Sequence, residues 1–184
     1  MNRRTALLGL LALPLAGCQH PYSPALVTGA VAQPYTLASG DRLRIIVFGQ
    51  DNLSNLYAVD GSGQIVMPLI GPVPVSGQPT YAVARAIEGK LKNGFIREPK
   101  VTVEVDAYRP FFILGEVVNS GQFPFVNGMT VQTAVAIAGG FSPRAAKGEA
   151  EVTRYVGGRL VTGTVPIGYP VRPGDTIVIK ERWF

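Results

Sequence analysis

Turn residues punctuate this chain so densely that they leave room only for short strands and short helices. It carries 22 glycines and 15 prolines in 184 residues. Many stand in groups that favour turns: Gly40-Asp41, Asp60-Gly61-Ser62-Gly63, Asn119-Ser120-Gly121, Gly139-Gly140, Gly157-Gly158 and Pro173-Gly174-Asp175. Between them the apolar residues mostly alternate. Arg42–Phe48 places Leu43, Ile45 and Val47 on one face, and Val101, Val103 and Val105 do the same later, so both read as strands. Tyr57–Val59 and Gln64–Met67 flank the Asp60–Gly63 turn and are expected to pair as a hairpin. The period changes in two places. Val83, Ile87 and Leu91 recur every four residues, which predicts a helix from Tyr81 to about Lys92, with Thr80 as its N-cap and Gly94 as its stop. Thr130 is expected to cap a shorter helix bearing Val131, Ala134, Val135 and Ala138, ended by Gly139-Gly140. Strands on either side of the Asn119–Gly121 turn, a hairpin about Gly157-Gly158 and a last strand after Asp175 complete the pattern.

This pattern predicts an α+β chain of two small modules, residues 34–107 and 108–184, with the seam near Ala107–Pro110. The second module runs strand, strand, helix, then more strands, which fits a β-grasp: a compact sheet cradling one helix. Each module has a thin core and gains from packing on the other or on copies of itself. One internal echo is visible. Tyr35 and Tyr169 each precede, by six positions, an aspartate (Asp41, Asp175) that closes a Gly-Asp pair before an apolar strand. Turn chemistry alone accounts for such a pair, so duplication is the less economical reading.

The amino terminus adds a location. Met1-Asn2-Arg3-Arg4 is basic, Ala6–Ala16 is mostly apolar, and small residues follow, which are the marks of a secretory signal over residues 1–17. The run is shorter than the roughly 20 residues a membrane-spanning helix requires. Leu15-Ala16-Gly17-Cys18 resembles the lipobox of bacterial lipoproteins, which implies that Cys18, the one cysteine of the chain, receives a lipid and becomes the first mature residue. Several acyl chains anchor far more firmly than one. Gln19 rather than Asp after the cysteine favours the outer membrane, and residues 18–33, rich in Pro, Ala and Ser, read as a flexible tether. Losing Arg3 and Arg4 from 17 basic residues leaves 15 against 12 acidic, a mild and scattered excess. No dense basic stripe of the kind nucleic acid needs is present. A mature chain without a second cysteine has neither a disulfide nor a thiolate metal site.

Catalysis finds little purchase. His20 sits two residues from the anchor. Of the carboxylates that could pair in glycoside hydrolysis, Asp41, Asp60 and Asp175 occupy turns, leaving Glu116. The glycine-rich "DGSG" and "AGGF" lack a P-loop lysine and Rossmann spacing, and no cofactor is indicated.

The stretches together resemble the bacterial polysaccharide biosynthesis/export family of outer-membrane lipoproteins. Tyr35, Leu37, Gly40-Asp41, Leu43, Ile45, Val59-Asp60-Gly61, Gly63, Ile65, Pro68, Gly71, Pro99, Val101 and Val103 match its export domain. Gly115-Glu116-Val117, Gly121, Ala138-Gly139-Gly140, Arg154 and Pro173-Gly174-Asp175 match its SLBB β-grasp domain. The resemblance implies a carrier, not an enzyme: a periplasm-facing lipoprotein that forms homo-oligomeric rings, passes polysaccharide through the lumen and meets an inner-membrane co-polymerase from below. Well-known members continue into an amphipathic helix that forms the outer-membrane pore. Here four residues follow Lys180, so a separate pore, such as a β-barrel, is expected. Two other readings stay open: a monomeric saccharide-binding module and a periplasmic hydrolase.

Overall fold

The structure is a computed structural model that describes Leu26 and residues 34–183. Cys18 and His20 lie outside the described residues, as does most of the expected signal and tether.

In the first module β1 (Arg42–Val47) is the central strand of a three-stranded antiparallel sheet, flanked by β2 (Asn55–Ala58) and β5 (Val101–Ala107). Its residues alternate strictly, with Leu43, Ile45 and Val47 buried and Arg42, Arg44 and Ile46 outside. That is the period-two pattern the sequence shows. Helix α1 (Thr80–Lys92) packs on β5 and buries Val83, Ile87 and Leu91. Burying such side chains stabilises the module by about 1.5–3 kcal/mol each. The helix begins one residue earlier than expected. Pro79, extended, is its N-cap, and the Pro79 carbonyl accepts the N–H groups of Ala82 and Val83, so Thr80 is helical and caps nothing with its side chain. At the far end, the Glu88 carboxylate accepts the Val101 N–H at 2.9 Å and fastens the start of β5 to the helix.

The Asp60–Gly63 turn is not the head of a hairpin. β2 pairs with β1, whereas β3 (Gln64–Met67) pairs with β4 (Gly71–Pro74) in a separate two-stranded sheet. The turn carries the chain out of the first sheet and into a second, two-stranded one. The local turn chemistry is as read: Asp60 Oδ1 accepts from the Ser62 hydroxyl and from the backbone N–H of Ser62 and Gln64.

The second module is one five-stranded sheet in the order β7-β6-β10-β8-β9. β6 (Phe111–Gly115) and β7 (Gly121–Phe123) form one hairpin, and β8 (Glu149–Val156) and β9 (Arg159–Pro166) form another. β10 (Thr176–Ile179) lies between them, parallel to β6 and antiparallel to β8. Helix α2 (Val131–Ile137) covers the apolar face with Val131, Ala134 and Val135. It opens on a capping box in which the Thr130 side chain and the Thr133 hydroxyl each accept the other's backbone N–H. This arrangement of a mixed sheet around one short helix is the α+β organisation expected of the second half.

Leu26 falls in the stretch read as a tether. It is buried in the second module's core, and its carbonyl accepts the Tyr169 hydroxyl at 2.7 Å. The chain is therefore held at this point, which the reading of a flexible tether did not anticipate.

Candidate functional site

One side chain at the seam reaches both Gly-Asp turns. Arg109 lies between the end of β5 and the start of β6. A Cβ built on Gly40 would stand 3.4 Å from Arg109 Cβ, and one built on Gly174 would stand 2.5 Å from Arg109 Nε. Both glycines have positive φ (+92° and +84°), so the turns need glycine for their backbone as well as for this close approach.

At the first turn Asp41 is fully buried. Its Oδ2 accepts the Tyr35 hydroxyl at 2.5 Å and the Ala38 N–H at 2.9 Å, while Oδ1 accepts the Arg109 N–H at 2.9 Å. Arg109 Nη1 donates to the Tyr35 hydroxyl at 3.0 Å and lies 3.7 Å from Asp41 Oδ2. The second turn gathers the same three residue types with different bonds, the Tyr169 hydroxyl donating to the Leu26 carbonyl and not to the aspartate. Asp175 is 1% exposed, and its Oδ2 accepts the Arg172 N–H at 2.7 Å. Arg154, 4% exposed, clamps the carboxylate with Nε at 2.9 Å and Nη2 at 2.6 Å. Its Nη1 donates to the Tyr169 hydroxyl at 3.0 Å. The echo seen in the sequence is thus a Tyr–Asp–Arg trio built twice. Burial, with the Asp41 hydrogen bond added, pushes the Tyr35 hydroxyl well above its ordinary pKa, and burial raises that of Tyr169. Burial alone would lower the Arg154 pKa, but its bonds and proximity to Asp175 carry it above the usual value.

The trios border a cleft of about 520 Å³ between the modules. Tyr35, Tyr108, Arg109, Phe125, Tyr155 and Arg172 are among the residues that line it. Tyr35, Tyr108 and Phe125 stand edge to face, with ring centroids 4.9 and 5.4 Å apart. This is the packing that aromatic quadrupoles favour. Each buried carboxylate already accepts three hydrogen bonds, so the arrangement is suited to holding shape and to contacting a ligand through rings and guanidinium groups.

The other residues singled out from the sequence serve the fold elsewhere. Asp60, Gly61 and Gly63 make the corner before β3, where hydrogen bonds, first from the Ser62 hydroxyl, hold the Asp60 carboxyl below its usual pKa. Pro68 lies in the turn between β3 and β4, and Pro99 just before β5. Gly115 ends β6 at φ +84°, and a Cβ there would stand 2.1 Å from the Ile179 carbonyl oxygen. Glu116 accepts the Ser142 hydroxyl and pairs with Arg144 at 3.4 Å. Gly121 opens β7, and Gly139-Gly140 close α2. Pro173 belongs to the second Gly-Asp turn at the cleft, and Cys18 is outside the described residues. Sequence reasoning did not single out Arg109, Tyr108, Phe125 or Tyr155. The Tyr-to-Asp spacing, the seam expected near Ala107–Pro110 and the matching residues Arg154 and Pro173-Gly174-Asp175 pointed to this region. Among the described residues no group of three or more His, Cys, Asp or Glu could hold a metal ion, and no helix is long and apolar enough to cross a membrane.

Comparison with known proteins places the same two modules in the same order. Residues 29–106 match the family model for polysaccharide biosynthesis/export proteins, and residues 110–165 match that for the SLBB domain. The chain is 32% identical over 139 residues to the exopolysaccharide production protein ExoF of Rhizobium meliloti (strain 1021), an alignment covering 69% of this chain and 33% of that relative. The chain thus spans a third of the relative's length. It belongs to the polysaccharide export family.

Proposed function

We propose that this protein is a subunit of an oligomeric conduit that carries capsular polysaccharide or exopolysaccharide across the periplasm to the outer membrane. The observation that carries this reading is the consecutive match of both halves to an export domain and an SLBB domain. In this account Cys18 bears the lipid that fastens the chain to the outer membrane, and copies assemble as a homo-oligomer met by an inner-membrane co-polymerase. The protein performs no covalent chemistry on the polymer. The engagement of Asp41 and Asp175 in structural trios supports that assignment. A moving polymer must not fall into a deep energy well, so shallow contacts repeated around a ring serve better than one tight site.

In-cell cross-linking tests the assembly. The account expects a ladder of homo-oligomers in the outer-membrane fraction, and expects Cys18→Ser to shift the protein to the soluble periplasmic fraction. A protein that stays monomeric in intact cells would favour the alternative of a lone saccharide-binding module, for which the cleft is the supporting feature. Retention of the Cys18→Ser protein on membranes would remove lipid anchoring from the account.

A further inference from the structure

The two trios differ in how the arginine is used. Arg154 uses its Nε and Nη2, the side of the guanidinium that matches a carboxylate bidentately, on Asp175. Arg109 spends only Nη1, on Tyr35, and its backbone N–H, on Asp41. Among the described residues its Nε and Nη2 donate no hydrogen bond. Nor is any buried side-chain nitrogen or oxygen left without a partner there, so this fork meets solvent. The Arg109 side chain is 27% exposed and lines the cleft. Arg154 and Arg172 line it as well, and among the described residues the one carboxylate in the lining, Asp175, is engaged. Tyr155, 72% exposed, also lines this cleft, as do Tyr35, Tyr108 and Phe125.

We propose that this cleft is a subsite for an acidic sugar residue of the transported polymer, with the open Nε/Nη2 fork of Arg109 receiving the sugar carboxylate and Tyr155 meeting a face of the pyranose ring. The proposal rests on the export reading and names the substrate class for it: a glycan bearing carboxylates. The chemistry of each part fits. A planar fork receives a planar carboxylate through two parallel hydrogen bonds, which an ammonium cannot reproduce. The C–H bonds on a sugar face carry partial positive charge and pack on the negative face of an aromatic ring. The buried trio below keeps Arg109 in place: Asp41 fixes its backbone and the Tyr35 hydroxyl fixes Nη1. The fork is thus pre-organised, which reduces the entropy lost on binding.

The test is calorimetric or NMR titration of the purified full chain in detergent with tetragalacturonate. The fully methyl-esterified tetramer serves as the uncharged arm and acetate as the bare-carboxylate arm. The expected result is saturable binding of tetragalacturonate with a Kd on the order of millimolar. The ester and acetate should each bind at least about tenfold more weakly, the range expected for charge-assisted hydrogen bonds. Arg109→Lys should weaken binding of the acid by about tenfold or more while preserving the positive charge. Tyr155→Ala, at an exposed position that carries no core packing, should weaken it severalfold, which keeps the proposal testable should the Arg109 variant not fold. Equal affinity for acid and ester would overturn the carboxylate fork. Acetate binding as tightly as the tetramer would overturn a sugar site. No binding up to tens of millimolar would overturn the subsite altogether. Such failures would leave the conduit standing if cells lacking the gene still fail to export, and normal export by those cells would remove the reading beneath the proposal.

Discussion

Asp175→Ala is the substitution with the most calculable consequence. It removes the carboxylate that accepts from Arg154 Nε (2.9 Å), Arg154 Nη2 (2.6 Å) and the Arg172 N–H (2.7 Å). The Arg154 guanidinium, 4% exposed, would keep its bonds to Tyr169 and the Pro170 carbonyl but lose its counter-charge. Breaking one partner of a buried pair costs about 3–5 kcal/mol, because the remaining charge is buried without compensation. That is a large part of the roughly 5–15 kcal/mol that holds an ordinary domain folded. In a chain of this size it corresponds to a fall in Tm of about 6–20 °C. The assay is urea unfolding followed by far-ultraviolet circular dichroism on the single variant, on Arg154→Leu and on the double variant. Removing both charges leaves no buried charge unpaired, so the double variant should be no less stable than Asp175→Ala alone, giving a coupling energy at least as large as the cost of Arg154→Leu by itself, about 3–5 kcal/mol. An Asp175→Ala protein within about 1 kcal/mol of wild type, or two single effects that simply add, would refute the reasoning that this buried pair fastens the turn.

Gly115→Ala should be strongly destabilising, by about 2–5 kcal/mol: the left-handed backbone costs about 1–2 kcal/mol for a residue with a Cβ, and displacing the Ile179 carbonyl, which accepts the Glu116 N–H at 2.9 Å, adds about 1–3 kcal/mol. Thermal melts will show it, and a loss under 1 kcal/mol would contradict the placement of Gly115 against β10. Stability should also fall at alkaline pH. Burial raises the folded-state pKa values of Tyr35, Tyr57 and Tyr169, so above pH of about 10 the unfolded chain releases protons that the folded chain keeps. Their contribution is fully present below that pH and is lost as pH rises towards the folded values. Tm measured across this range should decline, and Tyr35→Phe should reduce the slope; an unchanged slope would show that Tyr35 is not held neutral. In acid the sign reverses for Asp106, whose pKa is lowered first by its hydrogen bond from Arg44 and then by that from Arg42. Its support exists above the usual carboxylate pKa and disappears as pH falls through the folded value, so Asp106→Asn should flatten the acid limb.

The parts of this fold that were legible in the sequence are those set by local periodicity. β1 alternates because Leu43, Ile45 and Val47 do, and α1 buries the stripe of Val83, Ile87 and Leu91. Thr130 caps α2 through chemistry confined to four residues. The departures come from pairing across distance. The Asp60–Gly63 turn has the same local chemistry whether the flanking strands pair or part, and the pairings that distinguish the two cases, β2 with β1 and β3 with β4, are not written in the turn. Leu26 is one leucine in a Pro- and Ala-rich stretch, and nothing near it announces a partner at Tyr169. The site shows the same division. The Tyr-to-Asp spacing could be read because it is short. Arg109 meets Asp41 across 68 positions and Arg154 meets Asp175 across 21, separations that leave no periodic signature. The aromatic row at the cleft likewise gathers Tyr35, Tyr108 and Phe125 from two modules.

The most direct test of the export role is to count polymer inside and outside cells that lack this gene. Radiolabelled sugar should still enter lipid-linked and high-molecular-weight polysaccharide, while the surface and medium fractions lose it and the envelope interior retains it, with the wild-type distribution restored by the intact gene. A normal surface coat in the deletion strain would contradict the account, and so would a halt in polymer synthesis that precedes any retention.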